Sequence, residues 1–274
     1  DDLIPVKLTD NPVDGYQVTT ISSTDPSWYS YGNKEWANAI LVTDGSRSKY
    51  LNTSNVPVTE SDILAYFVWI PRYAYQIWTT DATTTTSPQE IGIRWERSSK
   101  EYTNGLQVGE YRTHPAFWWD TDGDRQVDSG ETIKGIWVGK FETTGDGTIP
   151  KVKPNQTPLV DQIISAQFAT ALKFSGASFV NNVVASGTGK SSYGLTSNID
   201  SHMMKNSEWG AVAYLSHSTY GINAEIRKNN FNLGEQTGCG ASYELRNSAD
   251  TVTTCAITYG ESEEYPQSTT GNIT

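Results

Sequence analysis

The chain has 274 residues and a formal net charge of −11, which excludes a basic nucleic-acid footprint. No apolar run approaches the roughly 18 residues needed to cross a bilayer, so no membrane span is expected within the sequence. Hydrophobic residues make up only 36%, but 9 Trp, 15 Tyr and 7 Phe supply enough buried area for a core in one large domain or two small ones.

Residues 1–45 read as short strands and turns, with period-two alternation over Ile4-Pro5-Val6-Lys7-Leu8. The chain opens on Asp1-Asp2, as after a processing site or an artificial trimming. Thr59 and Asp62 mark a short helix over residues 59–64. Tyr66-Phe-Val-Trp-Ile70 is the strongest strand signal. Pro71 has no N–H to donate, so an edge, bulge or bend is expected there. Ile91-Gly-Ile-Arg-Trp95 is placed to pair back as a hairpin. Ile136-Trp-Val-Gly-Lys-Phe141 alternates as a strand, with a turn over residues 143–147.

Val160, Ile163, Ile164, Phe168, Ala171 and Leu172 recur at helical spacing, which predicts an amphipathic helix ending near Gly176. Residues 181–199 read as irregular. The best-capped helix follows. Ser207 is its expected cap, and Glu208 sits at the positive end of the helix dipole. Trp209, Val212, Ala213 and Ser216 form the stripe expected to face the core, with Trp209 as its anchor, and Gly221 is a stop signal. A shift in character near residue 134 divides a β-rich region, 1–133, from a mixed region, 134–274. One continuous domain is the alternative.

Asp120-Thr-Asp122-Gly-Asp124-Arg-Gln126-Val-Asp128-Ser-Gly-Glu131 is the sharpest chemical motif. Oxygen ligands at the first, third, fifth, ninth and twelfth places, with a carbonyl at the seventh, describe a calcium loop. Asp120, Asp122, Asp124, Asp128 and Glu131 supply the carboxylates, and Gln126 the carbonyl. Five carboxylates in twelve residues repel one another unless a hard cation sits among them. Ca2+ in a structural role is therefore the expected cofactor. The sixth place, ordinarily Gly, is Arg125, and the flanks read as strands rather than helices.

The two cysteines, Cys239 and Cys255, lie 16 apart in a Gly/Ser/Thr-rich stretch. A disulfide is favoured over two free thiols. It would contribute about 3 kcal/mol by loop entropy and would place the chain in an oxidising compartment. His114, His202 and His217 belong to no catalytic motif, although His202 and His217 flank one helix, and no catalytic residue is assigned. Trp118 and Trp119 are consecutive, so a strand would turn them to opposite sides. They are the candidate ligand-contact aromatics.

Several segments resemble known families. Ser207-Glu-Trp-Gly-Ala-Val-Ala, Gly135-Ile-Trp-Val-Gly-Lys-Phe-Glu142 and Thr269-Thr-Gly-Asn-Ile273 resemble motifs of the formylglycine-generating-enzyme (sulfatase-modifying-factor) superfamily. Trp36-Ala-Asn-Ala, Val68-Trp-Ile-Pro-Arg-Tyr73, His114-Pro-Ala-Phe and His202-Met-Met-Lys-Asn-Ser-Glu-Trp209 resemble the ectodomain of prepilin-type bacterial surface proteins. The resemblance implies an α+β, β-rich fold: a C-type-lectin-like core with two helices, preceded by a β-rich N-terminal extension. It also implies an extracellular or cell-surface, pilus-associated structural or adhesive protein, not an enzyme. Its implied partners are other copies of itself or surface and filament proteins, with glycans as further candidates. The alternatives are a carbohydrate-binding module and a formylglycine-generating-type oxidase, which would hold copper at redox-active cysteines.

Overall fold

A computed structural model describes residues 3–11, 15–77, 90–97, 110–128, 130–154, 156–159, 162–187, 191–195 and 199–223, and the backbone of two short strands beyond them. The first strands are β1 (Ile4–Asn11), β2 (Gly15–Thr20) and β3 (Asn38–Val42), followed by helix α1 (Asp44–Tyr50). Next come β4 (Ile63–Pro71), β5 (Tyr73–Gln76), β6 (Gly92–Trp95) and β7 (Arg112–Thr113). The second half supplies β8 (Gly135–Gly139), β9 (Thr143–Gly145), β10 (Pro150–Val152) and helix α2 (Ile164–Leu172). It continues with β11 (Ser178–Val180), β12 (Val183–Ala185), helix α3 (Asn206–Ser216), β13 (Glu244–Arg246) and β14 (Val252–Thr254). The fold is α+β and rich in strands.

β4 is the spine. Its Tyr66-Phe-Val-Trp-Ile70 run is bonded on both edges. β3 pairs antiparallel along one edge. Along the other edge β10 pairs at Ala65 and β8 at Phe67 to Pro71. With β2, β1 and β9 these make a seven-stranded sheet, in the order β2-β1-β3-β4-β10-β9 with β8 on β4. Strands from both sides of residue 134 thus share one sheet.

β4 feeds two buried clusters, one from each half of its length. Ile63, Leu64, Ala65 and Tyr66 join Ile4, Val6, Ile40 and Val42 in one buried cluster. Val68 and Ile70 meet Val138, Phe117, Tyr73 and the α3 residues Ala211 and Leu215 in the other. At Pro71 the strand bends out of the sheet as the sequence predicts, and β5 pairs instead with β6 and β7. The joint is held by a buried ion pair, Arg72 Nε to Glu96 Oε2 at 3.1 Å. The Thr113 hydroxyl also donates to Glu96, at 2.9 Å.

Some local expectations change. The helix predicted over 59–64 is a single 3-10 turn, Glu60–Asp62. β12, inside the stretch read as irregular, pairs back on β11 as a hairpin whose turn residues Asn181 and Asn182 both have positive φ, the two-residue turn that matches strand twist. α2 starts only at Ile164, and Ile163 and Ile164 are each 73% exposed. It closes through a 3-10 turn onto Gly176 at φ +77. α3 starts one residue before its expected cap, so Ser207 is helical. Glu208 closes the first turn by accepting from the Lys205 N–H at 2.8 Å. Its buried face is Glu208, Ala211 and Leu215, and Trp209, the expected anchor, is 62% exposed.

Candidate functional site

The acidic loop is anchored at its stem. The Trp119 N–H donates to the Glu131 carbonyl at 3.0 Å, the Ile133 N–H donates to the Phe117 carbonyl at 2.9 Å, and Trp118 bridges Thr132. The flanks are therefore strand-like, as read from the sequence. Carboxylate oxygens of Asp120, Asp122 and Asp124 lie within 4.8 Å of one another, all three exposed. Each carboxylate also organises the backbone: Asp120 accepts from Gly123 and Arg125, Asp122 from Asp124, and Asp124 from Gln126. Arg125 adopts φ +63. It thus makes the left-handed turn that the sixth place of a calcium loop requires, without being glycine.

Glu131 is buried and accepts from the Thr121 N–H and hydroxyl and from the Asp128 N–H. Those bonds hold its carboxyl below the usual range. Asp128 is shifted the opposite way, by desolvation first and then by the negative charges of Asp124, Asp122 and Glu131. Val127 is buried at the eighth place. The donor set is all hard oxygen and suits Ca2+ by its chemistry.

Beside the loop an open groove of about 1550 Å3 runs across one sheet face. Its floor carries Trp69 and Trp137, paired across β4 and β8, with ring centroids 5.2 Å apart. Trp28 joins Trp137 at 6.3 Å. These rings are tilted by 57° and 36°, so they do not form one flat platform. Trp118, half-buried, and Trp119, 48% exposed, also line the groove. Sequence reading singled out Trp118 and Trp119 but not Trp69 or Trp137, which are read as ordinary strand residues. Only the register of β4 with β8 brings them together.

The groove lining also includes Asp200, His202 and Glu208. His202 Nδ1 is 2.9 Å from Asp200, and its Nε2 is 3.0 Å from Glu208. The Glu208 hydrogen bond, above all, raises the His202 pKa, and Asp200 adds to it. This clasp ties residues 200–205 to the first turn of α3. His217 follows the other end of that 11-residue helix, roughly 16 Å away at 1.5 Å per residue, so the two histidines do not meet.

His114 is buried among Tyr73, Tyr75, Tyr214 and Phe117. Desolvation pushes its pKa down to about 4. Cys239 and Cys255, and with them the expected disulfide, lie outside the described residues. No helix among the described residues is long and apolar enough to cross a membrane. No protein-family model, curated protein or solved structure matches the chain.

Proposed function

We propose that the protein is an extracellular or cell-surface module, pilus-associated and non-enzymatic, with a structural or adhesive role and a calcium-stabilised loop. The observation that carries this reading is the convergence of Asp120, Asp122 and Asp124 in a loop whose sixth residue turns left-handed. Weak calcium loops of about 10⁻⁴–10⁻³ M affinity belong to extracellular modules, where the ion is abundant. Helix α3 packs Ala211 and Leu215 against Val68 and Ile70 of β4 and Val138 of β8, and this supports a C-type-lectin-like scaffold. His114 is sealed in an aromatic core, out of reach of a substrate, which favours a non-enzymatic role. The partners that fit are copies of the same chain or other surface and filament proteins.

Calcium tests the reading by thermal unfolding. At about 100 times its Kd, a ligand that binds only the folded state adds about 2.7 kcal/mol. The melting temperature should rise with Ca2+, fall on chelation, and lose this dependence in Asp120→Ala. A wild-type melting temperature indifferent to Ca2+ and to chelator would remove the calcium part of the proposal.

A further inference from the structure

We propose that the free edge of β8 is a docking site for an extended peptide strand that carries a basic residue and comes from another protein. The inference rests on the sheet geometry and holds wherever the protein is displayed. In the antiparallel pair of β4 and β8, Trp69 faces Trp137. The Lys140 N–H donates to the Tyr66 carbonyl, and the Arg72 N–H donates to the Lys134 carbonyl. These two bonds fix the alternation. Residues 134, 136, 138 and 140 turn their N–H and C=O groups toward β4. Gly135, Trp137 and Gly139 turn theirs the other way. Among the described residues no strand pairs with that side.

The rest of the sheet shows what fits there. β10 lies end to end with β8 along β4, and β10 carries β9 on its outer edge. The position beyond β8 corresponds to the position β9 fills beyond β10. All five β8 residues line the groove, together with Thr170, Phe174, Met203, Met204 and Glu208. The outward-facing residues are Gly, Trp and Gly. The two glycines serve the packing inside the sheet, since a side chain at Gly135 would strike Trp69 and the Ile70 carbonyl and one at Gly139 would press on Val152, while Trp137 offers an apolar contact to a neighbouring strand.

Strand addition gains affinity from main-chain bonds and specificity from alternate side chains. Charge sets the second requirement. Glu142 lines the groove just past the end of β8. Desolvation raises its carboxyl pKa, and among the described residues no cation forms an ion pair with it. A Lys or Arg on the incoming strand would answer it. The occupant is thus an extended segment with apolar residues toward Trp137 and a cation toward Glu142.

The probe is acetyl-Lys-Val-Thr-Val-Thr-Val-Lys-amide, compared with the same peptide carrying Glu at both ends and with one interrupted by Pro. Amide hydrogen exchange is followed by NMR on the isotope-labelled 274-residue chain. The Lys peptide should slow exchange at Trp137 and Gly139 by about tenfold or more, leaving Ile136 and Val138 unchanged. Glu142→Lys should transfer the preference to the Glu peptide. The proposal is overturned if neither peptide protects Trp137 and Gly139, or if the Pro peptide protects them equally. Protection that follows protein concentration alone would also overturn it, because a second copy would then be the occupant.

Discussion

Glu96→Gln is expected to destabilise the fold by about 3–5 kcal/mol, the usual cost of leaving one charge of a buried pair without its partner. Arg72 and Glu96 have side chains only 1% and 3% exposed, and their 3.1 Å contact sits where β4 hands over to β5. Main-chain bonds converge on the same place: the Glu96 N–H donates to the Arg72 carbonyl, and the Arg72 N–H donates to the Lys134 carbonyl. Loss of the pair therefore weakens the joint between the seven-stranded sheet and the β5-β6-β7 sheet. At 2–4 °C per kcal/mol for a domain of this size class, the melting temperature should fall by on the order of 10 °C. Replacing both partners with apolar residues, Arg72→Met with Glu96→Leu, should cost less than Glu96→Gln alone, since no charge is then stranded. A Glu96→Gln protein within 1 kcal/mol of wild type, by the ~3 kcal/mol minimum above, would show that the pair holds nothing together.

Acid should destabilise the protein through His114 before its carboxylates titrate. The imidazole packs against Tyr73 at 5.4 Å and Tyr214 at 5.1 Å between ring centroids, and the Ala116 N–H donates to its Nδ1. Burial depresses its folded pKa to about 4, whereas the unfolded chain titrates near 6.5. Between these values the unfolded state binds the extra proton, so stability falls as pH drops from about 6.5 to 4. The full loss approaches about 3 kcal/mol, from about 2.5 pK units at 1.36 kcal/mol each. His202 has the opposite sign: its pKa is raised, so its contribution is complete below the unfolded value and is lost as pH rises through the folded one. It adds no slope in the acid window. Urea unfolding of wild type and His114→Gln at pH 7.5, 6 and 5 separates the terms. The variant should be less stable at pH 7.5 and should lose less on acidification. Parallel losses in both proteins would remove His114 as the cause.

Much of the sheet was legible because its signals are local. The apolar run of β4, the Pro71 bend, the alternation of β8 and the hairpin of β5 with β6 follow from residue type and period. The acidic loop was legible for the same reason, since its carboxylates lie within twelve residues. The β11-β12 hairpin had a signal that went unread, two Asn between Val180 and Val183. α3 shows where local signals fail. Its apolar stripe pointed inward by period, yet the surface available in the fold takes Ala211 and Leu215 and leaves Trp209 outside. The groove was illegible in principle. Trp69 and Trp137 are 68 positions apart, and their meeting depends on register, a non-local quantity. The His202 clasp needs Asp200, His202 and Glu208 in one fold-dependent geometry, although all three are close in sequence.

Surface display is the central claim, and location in intact producing cells tests it most directly. Immunogold labelling combined with protease shaving of unbroken cells should place the chain on the outer face, where added protease releases it. Label confined to the cytoplasm, with nothing released by shaving, would contradict the proposed function.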